Sequence, residues 1–357
     1  DFLKVCRRPD FDPAKTAFLM PTAEGPCRFG QYGPYLRKLL DELGHHEAVV
    51  FSPTSLNGYD GMAENTRDLI RTMWMGVVAG DLAMRFLLKT RPYETRAGDS
   101  DTVFRETVDQ FAELLARPDV KPKQRLAALA QAVERMRDRF RAIPARYEKG
   151  RPLIGLVGEI FCRLNTFSND DTARRVERLG GECWLSDIAE WVWYVNWYVE
   201  QRTLREEGRL NLTMLKHRLK THVQHKYEQV LLHPVLADLV GYEEPHDIRE
   251  VLAAAEPYLP PRGCIGEMVL SVGKAVYLHG KGADGIIDIS PFTCMNGIIC
   301  EAIYPAVSRA CDDLPIRTCY FDGVNTHIDR DLEIFLDLAR AYQRRKKHPR
   351  VYPAYFA

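Results

Sequence analysis

The chain has 357 residues, with 49 Lys+Arg balanced by 49 Asp+Glu, 46% hydrophobic residues and 27% charged residues. This is the make-up of an ordinary globular protein long enough for two or three domains, and a net charge of zero supplies no basic field for nucleic acid. No run approaches the roughly 18 apolar residues that span a membrane, and the opening "DFLKVCRRPDFD" lacks the apolar centre of a signal peptide.

Nine cysteines, an odd number with no CxxC pair among them, do not form a disulfide framework, a zinc ribbon or a thioredoxin-type redox pair. Together with the missing export signal they point to a reducing, cytoplasmic setting. The chain begins at Asp1 rather than at a methionine, which leads us to expect a portion of something larger.

In chain order, the first unit reads "TAFLMPT" (strand), "AEGPCRFGQYG" (loop), "PYLRKLLDELG" (helix) and "EAVVFS" (strand), over residues 1–58. A helical insertion follows at 59–150. It contains predicted helices over Glu64 to Thr90, Asp101 to Ala116 and Lys123 to Tyr147, the last with Leu126, Leu129, Ala130, Val133 and Met136 at helical period. A second unit, 151–186, runs "PLIGLVG", "EIFCRLNTFSND", "DTARRVERLGG" and "ECWLS". A second helical block occupies 187–280, closing with "CIGEMVLSVGKAVYLHG". The third unit, 281–357, runs "DGIIDIS", "PFTCMNG", "IICEAIYPAVSRACDD" and "LPIRTCYFDG", and ends in a helix over Asp329 to Lys347.

Short apolar strands alternating with helices predict an α/β protein of parallel βαβ units, Rossmann- or flavodoxin-like, carrying large helical insertions. Ligands of such sheets sit at the carboxyl ends of the strands. Cys27, Cys162 and Cys294 each fall in a loop of that kind. Helix N-termini lower a thiol pKa, and Arg28 and Arg163 directly follow two of the cysteines. Gly25, Gly30 and Gly33 permit close backbone approach around Cys27. Three thiols without matching histidines suit iron–sulfur ligation better than catalytic zinc, whereas three separate buried cysteines are the plainer alternative.

Other polar positions carry less. Glu159 and Asn165 flank Cys162 and are the candidates to hold a substrate or hydrogen-bond cluster sulfurs. Cys300, about 1.7 turns along the helix after Cys294, is a spare ligand approachable only from the helix side. Cys183, Cys311 and Cys319 read as core. Asp322 reads as a turn cap, Glu267 and Lys274 as surface or packing residues, and His217, His222 and His225 as one solvated basic helix. The terminal "RRKKH" reads as a solvated helix end. No P-loop is present in "SVGKA".

The stretches "MPTAEGPCRFGQY", "GEIFCRLNTFSND" and "GADGIIDISPFTCMNGIICEA" resemble the 2-hydroxyglutaryl-CoA dehydratase-like proteins, in particular the branch labelled CoA enzyme activase-related, which includes the double-cubane-cluster proteins. The resemblance covers Asp1 to about Leu336. It implies an α/β protein whose cysteine loops converge on an iron–sulfur cluster, either a 4Fe-4S cluster or a double-cubane 8Fe-9S cluster, with Cys27, Cys162 and Cys294 matching the ligand loops. It further implies a homodimer that receives low-potential electrons from an ATP-hydrolysing activator of the actin/sugar kinase/Hsp70 superfamily, separate or fused. Those electrons would reduce or dehydrate a difficult substrate, a 2-hydroxyacyl-CoA thioester or another small molecule. The usual "CMPG" reads "CMNG" here, with Asn296 in place of proline, and the Cys-Pro segment common upstream of the "DFLK" stretch precedes Asp1 in that pattern. The competing expectation is a non-catalytic scaffold or regulatory domain of a larger activase-related fusion. A sugar-kinase-like ATPase is opposed by the absence of its phosphate motifs.

Overall fold

A computed structural model of the chain describes residues 2–23, 27–52, 66–206, 208, 211–264, 266–324 and 328–356. The chain divides into two compact units, Asp1–Thr66 and Arg67–Ala357. Gly25 and the expected 58/59 boundary lie outside the described residues.

The first unit opens with helix α1 (Phe2–Cys6) and contains strands β1 (Ala17–Leu19) and β2 (Val49–Phe51), joined by helix α2 (Tyr32–Glu42). The two strands pair in parallel, Ala17 opposite Val49 and Leu19 opposite Phe51. A parallel pair needs a crossover, and α2 supplies it by burying Leu36 and Leu40 against Phe18 and Ala48. A 3₁₀ turn over Arg28–Gln31 leads into α2, with Cys27 as its N-cap.

The second unit begins with an all-helical part: α3 (Thr66–Thr90), α4 (Asp99–Leu115) and α5 (Pro122–Arg141). Its own core joins Met75, Leu82, Phe86, Phe111, Leu129, Met136 and Phe140. Helix α5 ends six residues before the expected Tyr147, because the approach to Pro144 cannot continue the helical ladder.

A four-stranded parallel sheet follows. Its strands are β3 (Leu153–Gly158), β4 (Glu182–Leu185), β5 (Gly285–Pro291) and β6 (Ile316–Phe321), in the spatial order β4-β3-β5-β6. Helices α6 (Ile160–Leu164) and α7 (Thr172–Arg178) lie between β3 and β4. The stretch from β4 to β5 holds α8 (Ile188–Glu206), α9 (Leu212–Leu232), α10 (Ile248–Ala255) and α11 (Glu267–Gly280). Helix α12 (Met295–Ala310) crosses from β5 to β6, and α13 (Ile328–Gln343) closes the fold.

The six strands among the described residues stand where the apolar runs predict them. The helical block expected over 187–280 includes α10, whose Asp247 N-cap and Glu250 form a capping box.

Alternation along the strands explains why both faces are covered. Leu153 and Val157 of β3, Trp184 of β4 and Ile286 of β5 pack with α10, α11 and α12 on one face. Ile154, Leu156, Cys183, Ile287, Ile289 and Phe321 pack with Val176 of α7 and with Leu332, Phe335 and Leu336 of α13 on the other. This is the period-2 pattern of a sheet with helices on both sides. Each large apolar side chain so buried contributes about 1.5–3 kcal/mol. Cys183, Cys311 and Cys319 belong to these cores, as expected.

The C-terminus departs from the expected solvated helix end. Helix α13 stops at Gln343, and the basic residues beyond it pin the tail to the sheet. Lys346 is nearly buried and pairs with the buried Asp284 at 2.8 Å, and Arg345 donates to the carbonyls of Asp312 and Asp313.

Candidate functional site

The strand order places β3 beside β5, while the chain runs from β3 outward to β4 and from β5 outward to β6. The carboxyl ends of β3 and β5 therefore flank a topological switch point, the place where open α/β sheets bind ligands. Two of the three singled-out cysteines stand there: Cys162 in the loop and short helix after β3, and Cys294 as the N-cap of α12 after β5. They are close enough that a charge on Cys294 disfavours ionisation of Cys162.

The backbone is shaped for this approach. Gly158 ends β3 at φ +116, with Ile289 of β5 so near that any side chain would collide with its backbone. On the other side, Thr293 holds φ +64 immediately before Cys294. A β-branched residue in the left-handed region is a true outlier, and such strain costs about 1–3 kcal/mol and collects at functional sites.

Glu159 accepts hydrogen bonds from the backbone N–H of Phe161 (3.1 Å) and of Cys162 (2.7 Å), so its carboxylate caps the helix carrying Cys162. Asn165 is similarly engaged, its Oδ1 accepting from Ser168 N–H at 2.9 Å. Both residues position the loop through their polar atoms. Arg163 is buried, donates to the carbonyls of Gly158 (3.2 Å) and Asp187 (3.3 Å), and leaves its Nε without a partner. Its charge acts on the neighbouring carboxylates of Glu190, Glu267 and Asp288, which it helps to keep ionised.

A second polar group comes from α11. Glu267, in its first turn, accepts from the Asn296 carboxamide, and Asn296 Oδ1 is buried without a hydrogen-bond partner. Below this lie Asp288 and Ser290 of β5, which share a hydrogen bond at 3.0 Å, and Tyr304, which donates to Asp288. Cys300 is fully buried beside them, its thiol facing the Met268 carbonyl at 3.6 Å.

The expectation that helix N-termini depress these thiol pKa values is corrected by burial. Burial, with added repulsion from Glu159, Cys294 and Asp288, pushes Cys162 up to about 12. Burial also raises Cys294, although the N–H groups of Asn296 and Gly297 act on it in the expected direction. Burial raises Cys300 further still. Without a metal ion these thiols stay protonated; a coordinated ion reverses the balance by deprotonating its thiol ligands outright.

Cys27 belongs to the first unit, half-buried at the head of the turn into α2, and Arg28 beside it is exposed. Of the two readings for Lys274, surface or packing, the structure shows the second: it is completely buried and pairs with Glu190 at 3.0 Å and with Glu244. One further expectation is corrected. The basic face of α9 is not simply solvated, since His225 stacks on Trp193 with ring centroids 4.0 Å apart and burial lowers the pKa of His217. Asp322 does cap a turn, accepting from Val324 N–H at 2.8 Å.

Two thiols, Cys162 and Cys294, stand at the switch point, and the buried Arg163 lies on the same loop as Cys162. The site residues that sequence reasoning passed over are Thr293, Glu267 and the Asn296 carboxamide. A proline expected at position 296 would have neither the amide that reaches Glu267 nor the N–H that faces Cys294. Among the described residues no helix is long and apolar enough to cross a membrane. Comparison with protein-family models, with curated proteins and with solved structures finds no match to this chain.

Proposed function

We propose that the protein is an iron–sulfur redox component that takes up low-potential electrons from an ATP-hydrolysing activator and passes them to a bound substrate, as the resemblance to the 2-hydroxyacyl-CoA dehydratase-like proteins suggests. The observation that carries this reading is the pair Cys162 and Cys294 at the carboxyl ends of adjacent strands β3 and β5, at the topological switch point. The resemblance alone names Cys27, in the first unit, as a further ligand.

An iron–sulfur cluster held there supplies one-electron transfer at a potential set by its hydrogen bonds and exposure. The chain's own contribution follows from the residues. Arg163 offsets negative charge, and the N–H groups of Asn296 and Gly297 face the Cys294 sulfur. Glu159 fixes the loop that presents Cys162. Phe161 and Phe292, both largely exposed, border the two cysteine loops as apolar surface that a docked activator or substrate would shield from water. Free thiols of this kind belong in a reducing compartment, the cytoplasm.

Anaerobic iron and sulfide analysis with EPR on the full chain tests the reading, alongside Cys162→Ser, Cys294→Ser and Cys27→Ser. The expected result is stoichiometric iron and sulfide in the wild type, with loss in the Cys162 and Cys294 variants. Protein without iron and without charge-transfer absorption after anaerobic purification or cluster reconstitution would sink the proposal.

A further inference from the structure

Parallel strands put all four amino ends on the edge of the sheet opposite the cysteine crevice, and a different set of ligand-type side chains meets there. His279 lies in the last turn of α11, shortly before β5. Asp312 sits in the turn between α12 and β6, at φ +56. His348 follows α13, on the tail that Arg345 and Lys346 hold against the same edge. One ligand atom from each of the three lies within 4.8 Å of the others, and among the described residues no other group of three or more His, Cys, Asp or Glu meets that condition.

The arrangement has the marks of a built site. His279 is 8% exposed, and its Nε2 has no hydrogen-bond partner. That buried nitrogen points toward Asp312 Oδ2, 3.8 Å away, with the His348 ring edge-on to the His279 ring at 4.8 Å between centroids. A buried imidazole nitrogen left unpaired is costly unless something takes its lone pair or its proton. The other oxygen of Asp312, Oδ1, is engaged by Lys347. An outer partner of that sort orients a ligating carboxylate and leaves its free oxygen facing inward.

We propose that His279, Asp312 and His348 bind a divalent first-row transition ion, with Zn2+ the best match to two imidazoles and one carboxylate. A tetrahedral ion with bonds of about 2.0–2.1 Å holds its ligand atoms about 3.4 Å apart. The His279–Asp312 pair is nearly at that spacing, and the exposed His348 ring needs to move in by no more than about 1.4 Å. A water completes the fourth position. Because the three ligands come from α11, the turn before β6 and the C-terminal tail, the ion acts as a staple that fixes the tail to the sheet.

Co2+ is the probe, because thiolate ligands give it an intense near-ultraviolet band that imidazole and carboxylate do not. Titration of the full chain should show one equivalent bound without that band, together with a Zn2+-dependent rise in melting temperature. His348→Ala, at an exposed position, should weaken this equivalent by at least about tenfold and cancel the Zn2+-dependent rise. Asp312→Asn should act in the same direction, and a Cys162→Ser, Cys294→Ser double variant should leave this equivalent unchanged. Binding that is equal in wild type and His348→Ala, or that disappears with the two cysteines, would overturn the proposal. Iron content at the cysteine crevice is read separately, so either site can fail without the other.

Discussion

The Asn296 carboxamide donates to the Glu267 carboxylate and leaves its own Oδ1 buried and unpaired, so that α12 and α11 meet beside Cys294 through half of a possible two-way bond. Asn296→Ala removes the donor and leaves a largely buried carboxylate without it, a loss of about 1–3 kcal/mol in urea unfolding. Glu267→Gln has the opposite tendency, since its amide can donate to Asn296 Oδ1, and its unfolding midpoint should match or exceed that of the wild type. Equal destabilisation by the two variants would contradict this account.

Lys274 supplies the second test. Its ammonium is entirely buried between Glu190 and Glu244, and Glu244 also accepts from Trp184 Nε1 at 2.7 Å. Lys274→Met strands two buried carboxylates and should cost about 3–5 kcal/mol, the usual consequence of removing one partner from a buried pair. Adding Glu190→Gln and Glu244→Gln to Lys274→Met should recover much of that loss. A triple variant no more stable than Lys274→Met would show that packing, rather than unpaired charge, sets the cost.

The sheet was legible because each strand is a short β-branched or apolar run bounded by Gly or Pro, and the cysteine loops were legible because they follow those runs. The charged interior was not. Lys274 sits on α11 where a helical period allows either face, and only the arrival of Glu190 from α8 and Glu244 from the loop before α10 reveals it as buried. The same holds for His279, Asp312 and His348, which lie on three separate elements and form no spaced motif. At Cys294 the direction of the thiol shift differs from the expectation for a related reason: helix position is visible in a sequence, whereas the burial that outweighs it there is a property of the packed fold.

Stability should depend on alkaline pH through Lys89. Its ammonium, buried between α3 and the tail, donates to the Asp238 carbonyl at 3.2 Å and to the Tyr355 hydroxyl at 2.8 Å, yet burial lowers its pKa to about 8. The folded state therefore releases this proton near pH 8 and the unfolded state only near pH 10.4. Between those values the unfolded chain binds more protons, so stability rises with pH. Relative to Lys89→Met, the wild type should gain up to about 3 kcal/mol across this window and show no relative change below it. Parallel urea curves at pH 7, 8, 9 and 10 measure the difference, and a flat difference would refute the assignment.

Gly158 governs how closely β3 and β5 present their cysteines. A Cβ there would stand 2.2 Å from the Ile289 carbonyl oxygen, 2.6 Å from the Ile289 nitrogen and 2.8 Å from Asp288 Oδ1. The Ile289 carbonyl already accepts from Glu159 N–H at 2.9 Å, so the ladder that would have to shift is the one that starts the Cys162 loop. Gly158→Ala thus combines a forbidden φ with a clash against fixed backbone, and a loss of about 3–5 kcal/mol follows. Gly44→Ala is the control. Gly44 has φ +76 and nothing within 4 Å of the added carbon, so only the backbone conformation is penalised, by about 1–2 kcal/mol. If Gly158→Ala loses no more stability than Gly44→Ala, the close approach of the two strands is not what holds the crevice. If it loses much more, the close approach of β3 and β5 at Gly158 is what holds the start of the Cys162 loop in place.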